Sequence, residues 1–243
     1  NVNPNPVTDF TASPDCEGTN IIFNNLSSIS SGTIQSYDWN FGDSISSNQA
    51  QPSHAYSASG TYTVTLTVTS ANGCSTTASR NIDIYPRPVA SFSSPAVCAG
   101  INSVFTDAST VSSGTISNWN WNFGDGTSAF GNTASHLYAS DGTFQSTLLV
   151  TTDHGCVDST QHTIQIHKLP IADFSSGNEC VNTAIQFTNT STAGSGSILF
   201  YNWNFGDGNT SSSSNPSHVY GTDGSFIVTL SVTSSLGCIS AKN

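Results

Sequence analysis

The sequence predicts an all-β protein built as three small tandem β-sandwiches in a linear rod. Three observations predict it. The motif Trp39-Asn40-Phe41-Gly42-Asp43 recurs as Trp121-Asn122-Phe123-Gly124-Asp125 and Trp203-Asn204-Phe205-Gly206-Asp207, 82 residues apart both times with no insertion or deletion. That period marks one folding unit used three times in series. Within each unit apolar and polar residues alternate, as in Tyr62-Thr63-Val64-Thr65-Leu66-Thr67-Val68-Thr69, so one strand face enters a core while the other carries hydroxyls into water. Each unit also holds two cysteines, 58 positions apart, which suits domains too small to rely on a core alone.

Taken in order, repeat one reads as strands over residues 7–11 and 20–24, an aromatic strand, a weak edge near 50–54, a long strand over 62–69 and a last strand near 80–85. In the aromatic strand Tyr37, Trp39 and Phe41 share a face up to the break at Gly42. About seven short strands per repeat, separated by turn signals, make a sandwich. The units span residues 6–87, 88–169 and 170–243, with 1–5 reading as the end of a preceding repeat or linker. The joints Tyr85-Pro86-Arg87-Pro88 and His167-Lys168-Leu169-Pro170 are short and proline-stiffened, so they predict equal rotations between units. At ~40 Å per sandwich the rod would span on the order of 120 Å.

The third unit stops at Ala241-Lys242-Asn243, short of the counterpart of the last strand, while Asn1-Val2-Asn3 is in phase with Asp83-Ile84-Tyr85. Two readings follow. Either the array continues in sequence, or a strand from a neighbouring molecule completes the third sandwich by strand addition and copies assemble head to tail. Methionine is absent even at position 1, which suggests a processed product or a window on a longer protein.

Six cysteines with no C-x-x-C pair read as a disulfide framework in an oxidising compartment. The repeat favours pairing within units: Cys16 with Cys74, Cys98 with Cys156 and Cys180 with Cys238. The competitor pairs Cys74 with Cys98 and Cys156 with Cys180, which leaves Cys16 and Cys238 for bonds between chains. A loop of the within-unit length stabilises a domain by roughly 4 kcal/mol in the chain-entropy model, comparable to a small domain's whole margin.

Fifteen acids stand against only Arg80, Arg87, Lys168 and Lys242, for a net charge of −11. That balance argues against nucleic acid and anionic membrane as partners, and no apolar run is long enough for direct membrane insertion.

The residues W-N-F-G-D-G, then P-S-H-x-Y, then G-[TS]-[YF]-x-V-T-L-x-V resemble the PKD (polycystic kidney disease) domain, and the resemblance covers all three repeats. It implies immunoglobulin-like (PKD-type) sandwiches found in tandem in bacterial secreted or cell-surface proteins. The roles implied are spacing, adhesion, protein or carbohydrate contact and force bearing, without catalysis or cofactor. The domains also occur beside catalytic modules, which implies an accessory role in a secreted hydrolase as the rival. Ser44 departs from the pattern where Gly126 and Gly208 stand.

Candidate sites follow the same beat. Asp43, Asp125 and Asp207 lie in Gly-rich turns but lack the companion ligands of a calcium cage, so they read as turn-fixing residues. His54, His136 and His218 recur in every unit with no G-x-S-x-G, H-E-x-x-H or P-loop motif, so they read as packed histidines bonded to backbone or to the turn Asp. Trp39, Trp121 and Trp203 are in phase with Phe41, Phe123 and Phe205, which suits a core. The unequal loops 27–33, 109–115 and 190–197, with 44–51, 127–133 and 209–215, are the better place for a ligand.

Overall fold

Thr63, Thr65 and Thr67 alternate with Val64, Leu66 and Val68, and the computed structural model, which describes residues 2–243, turns that alternation into a two-layered sandwich in each repeat. Repeat two is the fullest. One sheet pairs Phe92–Ser93, Ser103–Asp107 and Thr133–His136; the other runs Val97–Cys98, Val157–His167, Gly142–Thr152, Ile116–Asn122 and Ser128–Phe130. Repeat one has the same order, with its smaller sheet divided into two pairs of strands. In repeat three the larger sheet holds four strands and ends on the short Ile239–Lys242. Among the described residues there is no helix.

The long hairpin of each complete repeat shows why the alternation matters. Gly60–Ser70 pairs with Ser75–Tyr85 over ten residue pairs. Val64, Leu66 and Val68 are fully buried on its inner face. Outside, Thr61 donates to Asp83, Thr63 donates to Asn81, and Thr67 and Thr69 share hydroxyl bonds with Thr77 and Ser75. These are the cross-strand pairs that hold register on a wet face.

Tryptophan forms the centre of each core. Trp39, Trp121 and Trp203 have no exposed surface, and each packs edge-on against a phenylalanine of the facing sheet, Phe10, Phe92 and Phe174, at 5.1, 5.2 and 5.1 Å between centroids. Each indole N–H donates to a backbone carbonyl, of Gln49, Gly131 and Ser213. Because the acceptor is main chain, the loops carrying it vary in sequence without losing the bond.

The glycine that follows is required by space as well as by angle. Gly42, Gly124 and Gly206 have φ of 86°, 84° and 82°. A Cβ there would meet the carbonyl oxygens of Thr63, Gln145 and Ile227 at 2.7, 2.4 and 2.6 Å. Replacing Gly124 by Ala is expected to destabilise repeat two by at least about 2 kcal/mol, since a left-handed residue with a side chain adds to a clash with fixed backbone. A denaturant midpoint within error of the parent would exclude this account.

The expected within-unit disulfides are not formed. The structure joins Cys16–Cys156 and Cys98–Cys238, each with Cα atoms 5.6 Å apart, and leaves Cys74 and Cys180 as free thiols. Geometry explains the correction. Cys16 lies opposite Tyr85, at one end of the long hairpin, while Cys74 precedes Ser75 at the other. Ten strand residues separate those ends by roughly 33 Å, whereas a disulfide needs Cα atoms within about 7 Å. The two cysteines of a unit therefore sit at opposite poles. The competing pairings of Cys74 with Cys98 and of Cys156 with Cys180 are not formed either.

Candidate functional site: the motif turn and the junction between units

The Trp-Asn-Phe-Gly-Asp motif converges on a single turn, and every letter has a structural task. Asn40, Asn122 and Asn204 accept from the backbone N–H of the glycine two residues on. Asp43, Asp125 and Asp207 accept from the N–H of Ile45, Thr127 and Asn209 through one carboxylate oxygen. Their other oxygen lies 2.6, 2.6 and 2.7 Å from Nε2 of His54, His136 and His218. Ser44, which replaces the turn glycine in repeat one, is held at φ 73°.

Each histidine ring is clamped on both sides. It stacks on Phe41, Phe123 or Phe205 at 4.4, 4.3 and 4.2 Å and meets Tyr56, Tyr138 or Tyr220 edge-on. Those tyrosines donate to the carbonyls of Phe41, Phe123 and Phe205, and burial pushes their hydroxyls above the usual phenolic range. Desolvation raises the Asp207 carboxyl, but the side-chain and backbone N–H groups of Asn209, then His218, outweigh it and hold the group at about 2. Asp125 is likewise lowered, with Thr127 and His136 opposing its desolvation.

This constellation fixes a turn and offers little to a substrate. A hydrolytic triad needs a nucleophile on one imidazole nitrogen and a carboxylate on the other. Among the described residues the one hydroxyl bonded to these histidines, Thr127 Oγ1, lies 3.4 Å from the same Nε2 that faces Asp125. Among the described residues no three His, Cys, Asp or Glu side chains gather as a metal set would. The six motif-turn residues, Asp43, Asp125, Asp207, His54, His136 and His218, thus meet in pairs within units.

The chemistry that links units lies at the junctions. Cys16, on the short strand beside Tyr85, bonds Cys156 in the hairpin turn of the next repeat. Around it the Tyr85 ring stacks on His154 at 3.7 Å. Arg87 donates to the Glu17 carbonyl and Thr19 hydroxyl of its own unit and to the Val157 carbonyl of the next. One linker guanidinium thus ties two domains. At the second junction Cys98–Cys238 repeats the bond, but Leu169 takes the place of Arg87, and Ser195 exchanges hydrogen bonds with Lys168. Cys156 and Cys238 are each 1% exposed once bonded.

Sequence reasoning missed this junction. The usable signal was the length of the two alternating strands flanking Cys74, which already places that residue at a pole. The position of Cys16 along the hairpin had no such signal, because the short strand that carries it pairs in parallel with the last strand, far along the chain.

The comparisons follow the repeat. The PKD domain family matches residues 1–84, 85–168 and 167–243. The chain is 33% identical over 142 residues to the pre-pro-metalloprotease PrtV of Vibrio cholerae, covering 58% of this chain and 16% of that protein. It is 48% identical over 58 residues to collagenase ColA of Bacillus cereus, covering 24% of this chain and 6% of the collagenase. It therefore spans about a sixth or less of the curated relatives it matches. The crystal structure of the PKD1 domain of Vibrio anguillarum Epp is 34% identical, with 34% of this chain and 96% of that one covered and a TM-score of 0.33. With all three repeats matched in order, the chain belongs to the PKD domain family.

Proposed function

We propose that this chain is a non-catalytic extracellular spacer, a stalk or fibre segment whose task is to hold distance and orientation. The observation that carries the reading is that both disulfides run between neighbouring units instead of closing each one. A bond inside a domain stabilises that domain; a bond across a joint restrains the joint. Here each staple acts with a proline linker four residues long, and at the first joint with Arg87 as well. Bending at a joint then has to displace a covalent bond along with the packed side chains around it. The disulfides support an oxidising, extracellular setting.

A second reading is favoured by the names of the relatives, a metalloprotease and a collagenase. As the accessory region of a secreted hydrolase, the same stapled array would set the stand-off of a catalytic module, and its unequal loops would meet protein or carbohydrate. Small-angle scattering of the oxidised chain tests the mechanical core of both readings. The expected result is an elongated particle of fixed maximum dimension, which becomes a broader distribution when Cys16, Cys98, Cys156 and Cys238 are all replaced by serine. Identical scattering before and after would sink the spacer mechanism.

A further inference from the structure

Repeat two is attached twice at each of its poles. Toward repeat one, the chain enters at Pro88 and Cys156 is bonded to Cys16. These attachments lie together, since the Ala90 N–H donates to the Asp158 carboxylate at 2.8 Å. Toward repeat three, the chain leaves through residues 168–170 and Cys98 is bonded to Cys238. This pair is also adjacent: Cys98 lies opposite His167 in a parallel ladder, and the Ala99 N–H donates to the His167 carbonyl.

Two covalent routes therefore cross the repeat from pole to pole, and both are nearly straight before any load is applied. One runs from Cys156 through the eleven-residue strand Val157–His167 to Pro170. That strand alone covers roughly 36 Å at the ordinary rise of a folded strand. The other runs from Pro88 to Cys98, bridging Thr110 at Val89 and lying in strand pairs at Phe92–Ser93 and Val97–Cys98. Fully stretched, it also reaches roughly 36 Å. Residues 99–155, with the aromatic strand and one arm of the long hairpin, lie off both routes.

Tension promotes unfolding through the work it does, which is force multiplied by the length gained, and forced unfolding is governed by the rate that this work accelerates. Without staples, opening repeat two would release the whole 82-residue interval. With them, while its neighbours stay folded, it gains only the slack in residues 88–98 and 168–170, on the order of 10 Å. Either staple is sufficient: Cys98–Cys238 closes the first route and Cys16–Cys156 the second.

We infer a second function for the array, bearing tension without lengthening, with repeat two shielded from the load by the covalent routes 88–98 and 156–170. It rests on the spacer reading and extends it from bending at the joints to pulling along the axis. Even with all three repeats open, the shortest covalent path from Cys16 to Cys238 is the 58-position interval between Cys98 and Cys156.

Single-molecule pulling on the full chain, held through peptide tags at its two ends so that no cysteine serves as a handle, tests the shielding. The readout is the number of full-repeat releases, each a contour gain on the order of 250 Å. The oxidised parent should give none. Cys16→Ser with Cys156→Ser should give one, from repeat one, and Cys98→Ser with Cys238→Ser should give one, from repeat three. All four substitutions together, or reductant on the parent, should give three. Staples that merely stabilise would shift the forces and leave the count at three in every sample. A full-repeat release from the oxidised parent, or two from either paired variant, would overturn the inference. If a variant fails to fold, the parent before and after reductant carries the comparison. Peptide mapping of the oxidised parent separates this idea from its foundation: full-repeat release with the Cys16–Cys156 and Cys98–Cys238 peptides present defeats the shielding alone, whereas absence of those peptides defeats the spacer reading with it.

Discussion

Replacing Cys16 and Cys156 together by serine should lower the melting temperature of repeats one and two by at least about 10 °C, while Cys74→Ser leaves it unchanged. The asymmetry follows from which bond exists. If repeat one unfolds while repeat two stays folded, the stretch from Cys16 to Pro88 remains tethered at both ends through the Cys16–Cys156 bond. Closing a loop of that length removes on the order of 4 kcal/mol of entropy from the unfolded chain, and 1 kcal/mol corresponds to roughly 4–8 °C in a domain of this size. Repeat two contributes a cysteine to both bonds and gains most. Calorimetry of the two variants measures the effect directly. Equal losses in repeat one from the Cys16/Cys156 and Cys74 changes would show that the bonds close within units after all.

The second large effect concerns the centre of a core. Trp121→Ala should cost repeat two about 3–5 kcal/mol, because an indole without exposed surface is removed from contacts with Phe92 and Phe105 and a cavity remains. The Gly131 carbonyl also loses the indole N–H that donates to it at 2.8 Å, adding on the order of 1 kcal/mol. A unit of about 80 residues has a margin of roughly 4–12 kcal/mol, so most of it disappears. We expect the calorimetric trace of the oxidised variant to split, with repeat two melting early between two staples that keep the chain connected. A single undisplaced transition for Trp121→Ala would show that the core tolerates the loss of its largest member.

Much of the sandwich was legible in particular residues. The Thr-Val-Thr-Leu-Thr-Val alternation specified which face of the long strand is buried. The spacing of Tyr37, Trp39 and Phe41 placed the aromatic face correctly, and the recurrence of Asp43 with His54 in every copy pointed to a histidine packed against the turn aspartate. These are local properties: periodicity of a strand and the chemistry of a turn depend on neighbours a few positions away.

The disulfide pattern was not legible, and the reason is equally physical. Counting cysteines by repeat assumes that residues of one unit are near each other, but a hairpin of two eleven-residue strands carries its turn to the far pole of the domain. What lies close to that pole is the preceding unit, brought there by a four-residue linker. The sequence by itself determined three tandem sandwiches, their cores and their motif turns, because each of these is written within a strand or a turn. Only the tertiary structure decided that Cys16 meets Cys156, that Cys98 meets Cys238 and that Arg87 bridges two domains. Those outcomes depend on how far a strand reaches and on which unit its end touches, distances that no periodicity along the chain records.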